Sequence, residues 1–194
     1  MPNIKYDIRE FQQLKKQLGE DSGKVEKALR WSVDATSRKA ATYISKDVRG
    51  TYAIKARDIK RQLKIQRVRR DATRALLYVG RKLPLERFAP RTKVVRITAT
   101  SRKGNTFKTR RRGVTVRVRK DKGRQLVKGG WYAKGHILRR ADKDDNKSQP
   151  RMQFGPSIPG MVAHPSVIEG AQDLVRKDLP QQFNDRLDYL LTKE

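Results

Sequence analysis

The chain has 194 residues, enough for one domain, but only 36% are hydrophobic against 35% charged, so its core is small for its length. Lys and Arg number 48 against 20 Asp and Glu, a formal net charge of +28. That balance disfavours an isolated compact monomer and calls for polyanions, an anionic membrane or acidic protein neighbours, including copies within an oligomer. The lack of cysteine excludes disulfides and thiolate metal sites. The N-terminus has no apolar signal-peptide core, and no run approaches the ~20 apolar residues of a membrane span. A soluble protein made in a cytoplasm is the expectation.

A first helix is predicted from the cap Asp7 through Ile8, Phe11, Leu14 and Leu18 to Gly19. Ser22 offers a second cap, and Val25, Leu29, Ser32, Thr36, Ala40, Tyr43 and Ile44 then share one helical face. This second helix is expected from about Gly23 to Asp47, roughly 37 Å long, and to end at Gly50. Small residues at Ala28, Ala35, Ala40 and Ala41 let a neighbour approach closely. A short basic helix follows around Ala56–Leu63, inside a stretch (Lys55–Arg70) with eight cations and one acid, Asp58, that reads as a solvated helix face and a loop.

From Ala75 the period changes. Ala75–Val79 and Lys93–Thr100 suit strands, Lys103-Gly-Asn105 suits a hairpin turn, and Gly113–Arg119 alternates strictly. Val114, Val116 and Val118 are expected to face inward, with Thr115, Arg117 and Arg119 outward. Gly135–Arg140 is a further strand, and Ala141–Arg151 an exposed loop. Phe154–Gly160 is too rich in Pro and Gly for helix or central strand. Ser166–Leu191 returns to helical spacing, with a kink or break expected near Leu179 because Pro180 follows it.

Catalytic chemistry finds little support. His136 and His164 have no carboxylate at motif spacing, and Asp142, Asp144 and Asp145 lack the central Gly and closing Glu of a calcium loop. Gly129-Gly130 runs into Trp131, and no Gly-rich loop ends in Gly-Lys-Ser/Thr. The reading is no enzyme, no metal and no cofactor. The informative feature is the basic hairpin: between Arg91 and Lys120 lie twelve Lys and Arg, no acid, and a single aromatic, Phe107. Such a ribbon suits a phosphate backbone or an acidic protein surface equally on charge alone, while the scarcity of aromatics argues against base-stacking on single strands. The candidate contacts are Arg102, Lys103, Lys108, Arg110, Arg111, Arg112, Arg117 and Arg119.

Five stretches in order resemble the prophage minor tail protein Z family, related in outline to tail-completion and neck proteins of long-tailed phages. They are Tyr52–Lys60, Leu83-Pro-Leu-Glu-Arg-Phe88, Gly113–Lys120, Lys128-Gly-Gly-Trp-Tyr-Ala133 leading to Gly135-His136 and Arg139-Arg140, and Phe154-Gly-Pro-Ser-Ile-Pro159. The resemblance covers roughly Tyr52 to Val162. It departs from the family in Trp131, where a phenylalanine is expected, and in the unusually basic Arg91–Arg112. It implies a structural virion protein at the head-proximal end of the tail, acting in head–tail joining. The implied partners are itself in a ring (a hexamer by analogy), other tail and neck proteins, and packaged double-stranded DNA, with no membrane. Leu83, Pro84, Phe88, Trp131, Gly135 and Phe154 then read as fold or subunit-interface positions.

The expected fold is α+β in one domain over residues 1–194: long N-terminal and C-terminal helices on an antiparallel sheet, with an extended basic hairpin at about 91–120. The competing function is a free-standing nucleic-acid-binding protein of ribosomal or nucleoid type, which composition alone favours.

Overall fold

The computed structural model describes residues 22–67, 74–101, 103–142, 145 and 147–192; the first predicted helix lies outside them. The fold is α+β, as the two periodicities require, and the chain divides into two compact units. One comprises the described residues of Met1–Val48, Ile59–Gly80 and Ile158–Glu194, and the other Arg49–Asp58 and Arg81–Ser157.

The first unit is built on two long helices, α1 (Ser22–Thr51) and, at the far end of the chain, α4 (Pro165–Thr192). Val25, Ala28 and Leu29 of α1 form one cluster with Leu179, Phe183, Leu187 and Leu190 of α4. The alanine lets the helices approach, and the larger side chains fill the space between them. Further along α1 the expected face continues with buried Ser32, Thr36, Ala40 and Ile44. Its polar members are satisfied within the helix and across the seam: the Ser32 hydroxyl lies 2.6 Å from the Ala28 carbonyl of the same helix and 3.1 Å from that of Gln182 in α4, and Thr36 donates to Asp178 at 3.0 Å. Tyr43 crosses to Gly170, where a Cβ would stand 2.1 Å from the tyrosine oxygen.

Gly50 does not end α1, which runs one residue further to Thr51. Of the kink or break expected near Leu179, the break does not occur: α4 continues through Pro180. A proline inside a helix costs about 3 kcal/mol, but Leu179 and Phe183 flank it and are both buried, each contributing roughly 1.5–3 kcal/mol. Packing on both sides holds the helix through the proline.

Helix α2 (Ala56–Arg61) ends before the residues that were expected to extend it, and β1 (Leu63–Arg67) occupies what read as helix and loop. Its partner is β2 (Arg74–Tyr78), from Leu63 opposite Tyr78 to Arg67 opposite Arg74. Burial pushes the Tyr78 hydroxyl up to about 12, so it stays a neutral phenol. Against β2 lies α3 (Ile158–Val162), a helix where Pro and Gly argued against one. Pro159 sits in its first turn, where a missing N–H costs nothing. Ile158, Met161 and Val162 anchor it by burial.

The second unit holds eight short or extended strands. β4 (Arg91–Thr100), β5 (Thr106–Val116) and β6 (Gln125–Leu126) form one antiparallel sheet. β7 (Gly130–Ala133), β8 (His136–Arg140) and β9 (Pro150–Met152) form another, and β3 (Lys82–Pro84) pairs with β10 (Phe154–Ser157). Strand β9 begins within the predicted loop, its proline at the first residue where no ladder donor is missed. Lys134 and Gly135 link β7 to β8 with φ of +49° and +81°, the doubly positive pair of a type I′ hairpin turn.

The core here is small: Val114, Val116 and Ile137, with Leu85, Val118 and Val127 against them. Thr115 was expected to face solvent but is buried, and its hydroxyl donates to the Arg91 carbonyl at 3.2 Å. The base of β5 is therefore covered on both faces.

Candidate polyanion-binding interface

Hairpin β4–β5 keeps perfect register for ten pairs, from Arg91 opposite Thr115 to Thr100 opposite Thr106. The turn is tied by Ser101, whose backbone N–H donates to the Asn105 carbonyl at 2.8 Å, and by Gly104 at φ +83°. Directly opposed residues share a face, so the register sorts the cations into two sets.

One face begins in the core and leaves it. Reading β5 backward on alternate positions, it runs Val116, Val114, Arg112, Arg110, Lys108 and Thr106. The valines are 4% and 2% exposed, and the four residues beyond them are all exposed. Across the ladder on the same face stand Val94, Arg96, Thr98 and Thr100, also exposed. Arg96 is directly opposite Arg110. Like charges so placed destabilise a hairpin, and among the described residues no carboxylate forms an ion pair with either.

The other face is different. Val95, Ile97, Ala99 and Thr109 are half-buried, and Phe107 is exposed beyond them. Its cations, Arg91, Lys93 and Arg111, cluster toward the base. There Arg124 donates to the Ala89 carbonyl at 2.7 Å, and partial desolvation, then the charges of Arg91 and Arg117, lower its pKa. Cationic crowding is thus already present at the root of the arm.

The eight predicted contacts separate accordingly. Lys108, Arg110 and Arg112 come together on the exposed face. Arg111 points to the other face, and Lys103 sits in the turn. Arg102 lies outside the described residues. Arg117 donates to the Lys120 carbonyl, and Arg119 donates to Asp121 at 2.9 and 3.1 Å, a pairing that raises the guanidinium and lowers the carboxyl. These last two serve the base rather than the arm. Arg96 was missed, because it stands alone in its stretch of sequence. Counting outward from the turn would have found it, since Arg96 and Arg110 are equally far from Lys103.

The six residues read as fold or interface also divide. Leu83 and Phe88 are buried, and Gly155 brings its backbone so close to the Phe88 ring that a Cβ would stand 2.6 Å from it. Pro84 pairs with Phe154 in the β3–β10 ladder. The residues between Pro84 and Phe88 secure the same corner. Leu85 packs on the valine core, the Glu86 carboxylate lies 2.8 Å from His136 Nδ1, and Arg87 lies 3.4 Å from buried Asp58. Trp131 is half-buried beneath the Arg140 guanidinium at 5.7 Å, Gly135 makes the turn, and Phe154 is 51% exposed.

Elsewhere, His164 Nδ1 lies 2.9 Å from the Ser166 hydroxyl. The first unit has an open groove of about 480 Å³ lined by Tyr43, Gly170, Asp173, Leu174, Lys177, Asp178 and Gln181. Its carboxylates are engaged, Asp178 by Thr36 and Lys39 and Asp173 by Arg176 at 3.8 Å. Among the described residues, no three His, Asp or Glu side chains gather as metal ligands, and no helix is long and apolar enough to cross a membrane. The chain matches no protein-family model, no curated protein and no solved structure.

Proposed function

We propose that this chain is a non-enzymatic structural protein of a phage tail, of the tail-completion kind. It acts at the head-proximal end in head–tail joining, as one subunit of a ring, with β4–β5 as its docking arm. The observation that carries this reading is the arm itself. Seven residues of each strand, Val94–Thr100 and Thr106–Arg112, continue past the valine core for about 24 Å, carrying cations and no acid. A segment that cannot complete its own surface is completed by another molecule. The order of the five sequence stretches supplies the class of assembly, and the small core fits subunits that bury surface against their neighbours.

Cryo-electron microscopy of intact virions is the test. A symmetric ring of this chain at the head–tail junction is the expected result, and absence of the chain from the particle overturns it. The second reading, a free-standing nucleic-acid-binding protein, is favoured by the opposed Arg96 and Arg110. It predicts a chain bound to cellular nucleic acid and no assembled ring.

A further inference from the structure

The exposed face of the arm has a composition that discriminates between classes of partner. It carries Arg96, Lys108, Arg110 and Arg112, with the hydroxyls of Thr98 and Thr106 among them. Protein interfaces concentrate their energy in buried aromatic and Arg anchors and are depleted in Lys. The hairpin's one aromatic, Phe107, lies on the opposite face with Ile97, and the one apolar side chain on this face beyond the core is Val94. Phosphate contacts ask for Arg, Lys and Thr donors, which is what this face offers.

Lys108, Arg110 and Arg112 recur every second residue, about 6.8 Å apart along the strand, so the cations form a row along one face. A two-stranded ribbon also fits the major groove of B-form DNA, about 12 Å wide, whereas the major groove of duplex RNA is too deep and narrow for side chains to read. No Asn or Gln stands on this face to read adenine, and the one aromatic of the hairpin faces away, so neither adenine readout nor single-strand stacking is provided for.

We propose that this face, through Arg96, Lys108, Arg110 and Arg112, binds the phosphate backbone of duplex DNA. The inference rests on the reading of β4–β5 as a docking arm and names its partner. Opposed arginines that weaken the free hairpin become favourable once phosphates stand between them. The placement also explains why Arg111, Arg117 and Arg119 are not part of the contact: one points to the other face, and two are tied into the base.

The experiment measures binding of the full chain to a random-sequence 30-base-pair duplex by fluorescence anisotropy across a salt series. With net charge +28, any cation contributes something, so the decisive comparison is between two matched variants. One carries Arg96→Gln, Lys108→Gln, Arg110→Gln and Arg112→Gln. The other carries Arg38→Gln, Lys46→Gln, Arg57→Gln and Lys60→Gln, four exposed cations elsewhere. The arm variant is expected to flatten the log–log salt slope by about 3.6, at about 0.9 per phosphate contact, and to lose roughly 100-fold in affinity at low salt. The control is expected to lose less than about a third of that slope. Lysine at the three arginine positions should restore binding to within about fivefold, since charge rather than bidentate geometry is at work.

Equal losses in both variants overturn the proposal, as does an arm variant that binds like the parent. An arm variant that keeps DNA binding but loses binding to poly-glutamate assigns the face to an acidic protein instead. The tail reading fails separately. Loss of arm-dependent DNA binding with the chain still at the head–tail junction removes only this inference, whereas arm-dependent binding by a chain absent from virions removes the tail reading.

Discussion

The helix pair α1–α4 and the hairpin β4–β5 are the two extended features of this molecule, and they treat their side chains in opposite ways. Along the helices the apolar stripe is used up within the chain, as Val25, Ala28 and Leu29 meet Leu179, Phe183, Leu187 and Leu190. Along the hairpin the stripe stops at Val114, and the same face continues as Arg112, Arg110 and Lys108. The helices are held by burial. The arm is held by its ladder and by the small core at its root, against repulsion between its own cations. One region supplies stability, and the other spends some of it on a surface for something else.

The sharpest way to break that contrast is to truncate one phenylalanine in each region. Phe183 is 1% exposed in the helix seam, and Phe107 is 50% exposed near the tip of the arm. Phe183→Ala is expected to cost about 3–5 kcal/mol, by lost burial and the cavity left behind. Phe107→Ala should cost under about 0.5 kcal/mol. Urea unfolding followed at Trp31, which lies on α1, in a Trp131→Phe background reports on the helix unit. If the two truncations cost the same, the arm packs on more than its own root.

Next in size is the corner that anchors the arm. A Cβ at Gly155 would stand 2.6 Å from Phe88 Cε2, inside a buried contact. Gly155→Ala is expected to cost about 1–3 kcal/mol as overpacking. The loss should register at Trp131, in the same unit, before Trp31. A neutral substitution would mean that the Phe88 ring can move aside.

How much of this was legible in the sequence differs between the same two regions. The face of α1 could be read off because period 3.6 and burial coincide, and Ser32 and Thr36 on it are buried as the pattern placed them. The hairpin and its turn were legible too, from Lys103-Gly-Asn105 and the valine alternation. What was not legible is where the core stops. Val114 and Arg112 sit on one face two residues apart, and alternation says nothing of how far a covering layer extends. For the same reason Thr115 read as exposed. Helix α3 was hidden because Pro159 and Gly160 are breakers by type, while three buried side chains outweigh them in context. β1 was hidden by charge, since Lys64 and Arg67 masked a two-stranded pairing set by residues seven to fifteen positions away. The candidate contacts were legible as a cluster but not as a surface. Alternation along β5 separates Arg110 from Arg111, and the register, counted outward from the turn, adds Arg96.

A smaller effect, of opposite sign, lies at the root of the arm. Ala89, just before Pro90 and β4, has φ +45°, a left-handed conformation that costs an L-residue about 1–2 kcal/mol. Glycine removes that strain but adds freedom to the unfolded chain, about 0.5–1 kcal/mol. Ala89→Gly should therefore stabilise the second unit by about 0.5 kcal/mol in thermal unfolding. A loss instead would show that the conformation is held more cheaply than its φ implies.

The smallest effect bears most directly on the contrast. Arg96 and Arg110 oppose each other across the ladder, so Arg110→Thr removes a like-charge pair and places a strand-favouring residue there. The gain in stability should be a few tenths of a kcal/mol at low salt, within the range of cross-strand pairs. It should shrink as salt rises, because at 1 M the screening length is only about 3 Å. The same substitution should weaken duplex binding and flatten its salt slope by about 0.9. Stability and binding would then move in opposite directions on one change. Arg110 would be shown to stand where it does in spite of the fold, at a cost that salt titration of the unfolding midpoint measures. If the substitution lowers stability instead, the arginine stem is packing on the ribbon, and the charge on this face is incidental to how the arm is held.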